Sequence, residues 1–259
     1  MGSVQSKPLS AIAIAAILAG AGACKVQRID RGADDPVDGA ADAVAVDEAA
    51  GISDWTLLSD GTLDAWRGYR RDDAPGTWSA NGDTIAFLPG TEGGTLISRD
   101  RFADFELVFE WRISEGGNSG VFYRVLETES APYWSGPEYQ ILDNGGHPDG
   151  GAPESSAGAN FALHGPGEDM TRPVGEWNYS RILVHGALVE HWLNGALVVA
   201  YELASDEWRA AVAASKFADW PAYGMSSTGH IGLQDHGDPV WYRNLRIRRR
   251  HRAAAFRSA

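Results

Sequence analysis

The segment Phe105-Glu106-Leu107-Val108-Phe109-Glu110-Trp111-Arg112-Ile113 decides the fold class. Phe105, Leu107, Phe109, Trp111 and Ile113 fall on one side of an extended chain, and Glu106, Val108, Glu110 and Arg112 on the other. Successive side chains of a strand point to opposite faces, so this period of two describes a strand with one face in a core. Outward from it the chain offers further short runs of the same kind: Thr84–Leu88, Thr95–Ser98, Gly120–Leu126, Glu138–Leu142, Ser180–His185, Leu188–Leu193, Ala196–Glu202, His230–Gln234 and Val240–Arg248. Turn-forming residues separate them, at Asn81-Gly82, Gly116-Gly117-Asn118, Asn194-Gly195 and Gly237-Asp238-Pro239. Asn194-Gly195 between two apolar runs is the strongest hairpin signal. One short helix is expected near Asp206–Ala214. Many short strands with little helix predict an all-β sandwich or jelly roll.

The ten Trp and eight Tyr are numerous for 259 residues, and such rings supply flat surfaces on which sugars stack. A net charge of −13 argues against nucleic acid as a partner, because phosphate binding needs a basic field. The N-terminus reads differently from the rest. Lys7 precedes an apolar run from Leu9 to Leu18, too short to span a bilayer, followed by Ala21-Gly22-Ala23-Cys24. Residues 1–24 are therefore expected to be a signal peptide ending at a lipidated Cys24, which would place the protein in a bacterial cell envelope, in the periplasm or anchored to the outer membrane. Residues 25–52, rich in Ala, Asp and Gly, read as a disordered acidic tether that reaches about 30 Å as a flexible coil. The folded domain is expected over 53–249, with a basic tail at 250–259.

Function concentrates in Pro137-Glu138-Tyr139-Gln140-Ile141-Leu142-Asp143-Asn144-Gly145-Gly146-His147-Pro148-Asp149. Projecting the strands gathers a polar set opposite the apolar faces: Glu110, Arg112, Arg124, Glu138, Gln140, His185, Glu190, Trp192, Asn194, His230, Gln234 and His236. If their strands share one sheet, these residues converge on a ligand groove. Three readings of the acids stay open. A conventional glycosidase needs two carboxylates about 5–9.5 Å apart, and Glu138 and Asp143 point to opposite faces of a continuous strand. Asp143, His147 and Asp149 are of types that suit a divalent metal ion. His230 or His236 could act as acid or base beside Glu138.

The chain resembles the 3-keto-disaccharide hydrolase domain family, formerly the domain of unknown function 1080. The resemblance is carried by Trp55 to Gly61 with Leu63 to Trp66, Asp104 to Arg112, Gly117 to Arg124, Pro137 to Asp149, Gly175 to Asn178, Val189 to Gly195, Ser215 to Phe217, Gly229 to Gly237 and Val240 to Ile247. It implies a concanavalin-like jelly-roll sandwich of two antiparallel sheets and cleavage of 3-keto-glycosides. A ketone at C3 acidifies the C2 proton, and the aglycone at C1 can then leave by elimination, with water adding back. Such a site needs a base, an acid and an electrophile for the ketone oxygen. On that resemblance Glu138 or His236 is assigned as base or acid, and Arg124 and Gln140 as substrate or oxyanion contacts. Glu110, Arg112, Asn118, His147 and Lys216 follow as candidates, and a divalent ion held by Glu138, Asp143 or His147 is an alternative electrophile. The competing readings are a lectin-like carbohydrate-binding module of the same fold and a structural lipoprotein without a ligand.

Overall fold

The structure is a computed structural model that describes residues 54–250. The expected leader, Cys24 and its lipid, the acidic tether and all of the tail beyond Arg250 lie outside the described residues. Thirteen strands and one helix follow in order: β1 (Thr56–Leu57), β2 (Trp66–Gly68), β3 (Trp78–Asn81), β4 (Thr84–Phe87), β5 (Leu96–Ser98), β6 (Phe105–Ile113), β7 (Asn118–Val125), β8 (Glu138–Leu142), β9 (Asn178–His185), β10 (Leu188–Leu193), β11 (Ala196–Glu202), α1 (Asp206–Ala213), β12 (His230–Leu233) and β13 (Val240–Arg249). β1, β2 and β3, two to four residues long, are not among the strands expected from the sequence. Ser205 caps α1 by accepting a hydrogen bond from the Trp208 N–H.

The strands form two antiparallel sheets. The larger runs β11-β10-β9-β6-β13-β4-β3, with β1 added on β13, and the smaller runs β2-β5-β12-β7-β8. Alternation along β6 places Phe105, Leu107, Phe109, Trp111 and Ile113 in the core between the sheets. Val121, Tyr123, Tyr139, Ile141, Ile231 and Leu233 enter it from the smaller sheet. The fold is the all-β sandwich that the alternation implied, in the two antiparallel sheets that the family resemblance implied.

The two outer faces differ. On the larger sheet the outer face is a lattice of ion pairs and rings. Glu106 accepts from Arg181 at 2.6 Å and pairs with Arg248 at 2.7 Å, and the Arg112 guanidinium lies over Trp177 and Trp241. The smaller sheet is covered on its outer face too, so that every residue of β7 and β8 is buried. The segment after β8 turns back along that edge strand: the Gly158 and Phe161 N–H groups donate to the Gln140 and Glu138 carbonyls, and the Gln140 N–H donates to Ala159. A strand edge that would otherwise present unpaired amides is closed in this way.

The core also holds a hydrogen-bonded polar group, the imidazole of His191. His191 donates from Nδ1 to the Gly158 carbonyl at 3.0 Å, and its Nε2 accepts from the Tyr123 hydroxyl at 3.0 Å. Burial lowers its pKa to about 4, so the ring is neutral. A depressed histidine pKa stabilises the fold above the unfolded value of about 6.5, and that contribution is lost as pH falls toward 4. His191→Phe takes the partner from the buried Gly158 carbonyl, while the Tyr123 hydroxyl keeps its bond to Tyr201, and is expected to cost about 1–3 kcal/mol at neutral pH. Denaturant titrations should show the deficit shrinking at about pH 5, where the wild type itself loses stability. A deficit independent of pH would mean that the ring takes up its proton equally well in the folded and the unfolded chain.

Candidate active site

The site is built on the outer face of the smaller sheet, where β7, β8 and β12 run side by side. Phe122 pairs with Glu138, Gly120 with Gln140 and Asn118 with Leu142. Gln234, just past β12, donates its backbone N–H to the Gly120 carbonyl at 2.9 Å. Glu138, Gln140 and Gln234 therefore surround Gly120. A Cβ at Gly120 would stand 2.8 Å from the Glu138 carboxyl carbon, so the absence of a side chain there is what lets the carboxyl lie across the sheet.

Above this floor opens a cleft of about 400 Å³. Asn118, Glu138, Gln140 and Gln234 line its base, Tyr133, Phe161, Phe217 and Tyr223 its walls, and Gly136, Asp149, Lys216 and His236 complete the lining. Three buried polar atoms on this lining have no hydrogen-bond partner among the described residues: Gln140 Oε1, Gln234 Oε1 and the Tyr223 hydroxyl. Buried polar atoms are costly to leave unpaired, and together these three match the hydroxyl-rich edge of a sugar.

The Glu138 carboxyl is 5% exposed. Burial pushes its pKa up to about 8, opposed by the positive charge of Lys216 and a hydrogen bond from Gln234. Lys216 is an exposed residue, but its Nζ lies 3.9 Å from the centroid of the Phe161 ring. Lost solvation lowers its pKa, against the pull of Glu138 and Asp149. The cleft thus pairs a carboxyl poised between its two protonation states with one nearby cation.

Of the residues singled out in the sequence, Asn118, Glu138, Gln140, Asp149, Lys216, Gln234 and His236 come together here. The others do not. Arg124 lies where alternation fails: its φ is +54°, the β7–β12 register slips beside it, and a Cβ on Gly229 would stand 2.6 Å from its Cα. That bulge turns its guanidinium to the Ala103 and Gly186 carbonyls and Asp104, so Arg124 holds loops together outside the cleft. Glu110, Arg112 and Trp192 belong to the larger sheet, whose polar face points away from this one. There Glu110 pairs with Arg243 at 2.6 Å, and the Trp192 ring donates to Glu190 at 2.9 Å. His230 is on the smaller sheet but beyond the cleft, donating from Nδ1 to the Ser98 carbonyl at 2.7 Å with Nε2 3.8 Å from Glu127.

The metal reading does not fit the residues. Both Asp143 oxygens accept backbone N–H groups, from Gly116 at 2.7 Å on one side and Gly145 and Gly146 on the other. His147 Nδ1 accepts from the Asp149 N–H, and the His147 ring sits 6.4 Å from that of His236 without lining the cleft. Among the described residues no three His, Cys, Asp or Glu side chains group as a ligand set. Asp143 is a loop staple.

Sequence reasoning missed Gly120, Tyr133, Phe161, Phe217 and Tyr223. A lone glycine inside an apolar strand was the available signal for Gly120. The aromatic walls come from turn segments, whose placement over a sheet has no periodicity to read.

A two-sheet antiparallel sandwich with an amide-floored, aromatic-walled cleft on one sheet is the architecture of a carbohydrate-active jelly roll. Comparisons with known proteins agree. The profile of the family described as the 3-keto-alpha-glucoside-1,2-lyase-like domain matches residues 54–248, and the chain belongs to that family. It is 35% identical over 227 residues to a 3-keto-disaccharide hydrolase of Bacteroides thetaiotaomicron, covering 74% of this chain and 77% of that protein. It is also similar to the crystal structure of a "putative glycosyl hydrolase" from Parabacteroides distasonis, at 29% identity and a TM-score of 0.71 over 76% of this chain and 94% of that one. A second crystal structure from that organism, at 23% identity and a TM-score of 0.59, shares the fold.

The raised pKa of Glu138 has a thermodynamic consequence. Between about 4.5 and about 8 the unfolded chain releases this proton while the folded one keeps it, so stability falls as pH rises through that window. Glu138→Gln is expected to be more stable than the wild type, by little at about pH 5 and by up to a few kcal/mol above about pH 8. Denaturant titrations of both proteins at the two pH values test this, and a gap that fails to widen with pH contradicts a buried, proton-holding carboxyl.

Proposed function

We propose that this chain cleaves 3-keto-glycosides in the cleft above Gly120, with Glu138 as the proton-transferring group. The observation that carries the reading is a single buried carboxyl with a pKa of about 8 at the floor of a polar cleft. An ordinary glycosidase requires two carboxylates flanking the bond. The only other acid lining this cleft among the described residues is Asp149, an exposed residue. A ketone at C3 removes that requirement, because the C2 proton becomes acidic enough for one base.

In the proposed reaction the ionised Glu138 carboxylate takes the C2 proton, and the C–H electrons move onto the ketone oxygen as an enolate. Lys216 supplies positive charge near that oxygen, and the Gln140 and Gln234 amides and the Tyr223 hydroxyl hold the ring hydroxyls. The enolate collapses, the C1–O bond breaks, and the proton on Glu138 is returned to the departing oxygen. Water then adds to the resulting enone to complete a net hydrolysis. A pKa near the working pH suits a group that must both take and give a proton. The name of the Bacteroides relative, 3-keto-disaccharide hydrolase, supports the substrate class.

Purified protein given a 3-keto-glucoside should release aglycone, and Glu138→Gln should lower kcat/KM by about 100-fold or more. In the wild type kcat/KM should rise with pH to a midpoint near 8. Saturable binding of the keto-sugar without turnover would make the chain a lectin-like module instead. A profile that falls through the same midpoint would give Glu138 the role of acid.

The N-terminal sequence motivates a proposal about location. The apolar run Leu9 to Leu18 before Ala21-Gly22-Ala23-Cys24 is the basis for proposing export and lipidation at Cys24. Cys24→Ser should shift the protein from the membrane to the soluble fraction of cells expressing the full chain.

A further inference from the structure

β8 gives the cleft a direction. From Glu138 toward Leu142 it becomes polar, through Gln140, whose Nε2 donates to Asn118 Oδ1 at 3.4 Å. In the opposite direction, before β8, it becomes aromatic. Tyr133 lines the cleft and is 43% exposed. Its ring centroid is 5.5 Å from that of Trp220, which in turn stacks on Trp134 at 5.6 Å with 20° between the planes. Phe217 backs the same tryptophan at 5.4 Å. The Gly224 N–H donates to the Ser135 carbonyl at 2.9 Å, tying the segment that carries Trp220 to the turn that carries Tyr133.

Trp220 packs against the edge of the core, but the stack runs outward from it. Core rings on this protein are fully enclosed, whereas Trp134 and Trp220 are half-buried and Tyr133 opens to solvent beside the catalytic carboxyl. Offset and tilted rings in a row present a platform for another flat ring, and aromatic faces left at a cleft mouth mark a binding surface. Glu138 stands at the boundary of the two halves. Gln140, two residues further, is about 6.6 Å along the strand, roughly the width of one pyranose.

We propose that Tyr133, the ring of this stack that lines the cleft, is the leaving-group subsite, backed by Trp220 and Trp134 and taking an aglycone that presents a flat ring face, with the keto-sugar held over Gln140 and Asn118. The assignment rests on the proposed 3-keto-glycoside cleavage. It places the scissile bond at Glu138, where the carboxyl reaches both the C2 proton and the departing oxygen. The shared chemistry of the occupant is a ring with an apolar face, which either a phenol or a second pyranose supplies.

The test uses three 3-keto-glucosides that differ only in the aglycone: phenyl, glucosyl and methyl. For each, kcat/KM of Tyr133→Ala is divided by that of the wild type, which cancels the intrinsic leaving ability of the aglycone. The ratio is expected to be about 3- to 10-fold lower for phenyl or glucosyl than for methyl, with the larger drop identifying which ring the platform serves. Tyr133→Phe, which keeps the ring, should restore most of the discrimination. Equal ratios for all three substrates would overturn the subsite while leaving the keto-glycoside activity standing. Failure of the wild type to turn over any of them would remove both.

Discussion

The small sheet of this protein is covered on both faces, and the chemistry follows from that constraint. One face packs into the sandwich core, as any jelly roll requires. The other carries Asn118, Glu138, Gln140 and Gln234 and lies under loops, so polar side chains that alternation would send to water are enclosed instead. A carboxyl taken out of water without a close ion pair holds its proton more tightly, which is how the Glu138 pKa is pushed up to about 8. Gly120 completes the arrangement by yielding the space that the carboxyl occupies.

The strands themselves were largely legible. β8, β10 and β11 begin and end where their alternation and flanking turns place them, and the hairpin at Asn194-Gly195 closes as that dipeptide dictates. What the sequence could not express was sheet membership. Glu110 and Glu138 carry the same local signature, a charge between apolar neighbours, yet they sit on opposite outer faces because β6 and β8 fall in different sheets. Pairing is a long-range property, and period-2 reasoning is silent about it. Arg124 failed for a local reason: one left-handed residue shifts a strand's alternation, and a bulge of this kind rests on a backbone approach to Gly229, more than a hundred residues away.

The two sheets carry their arginines to different ends. On the larger sheet the guanidiniums of Arg112, Arg181, Arg243 and Arg248 are spent on Glu106, Glu110 and the indoles around them. Among the described residues no arginine lines the cleft; the cation there is Lys216, a flexible amine whose solvation is partly lost. A rigid bidentate guanidinium would hold Glu138 ionised and low, whereas the lysine leaves it free to exchange a proton.

The cover over β8 divides the cleft walls by what each can tolerate. Phe161 belongs to a segment whose amides close the exposed edge of that strand, so lengthening or shortening it would uncover hydrogen-bonding groups capable of recruiting another chain. The wall from Ser215 to Met225 makes no such pairing with the sheet edge; it is fastened to the turn before β8 by Gly224. One wall is therefore tied to solubility and the other is not. Diversification of what the protein accepts has a permissive route through the second wall, where insertions alter the mouth of the cleft without turning an edge strand into a site of self-association.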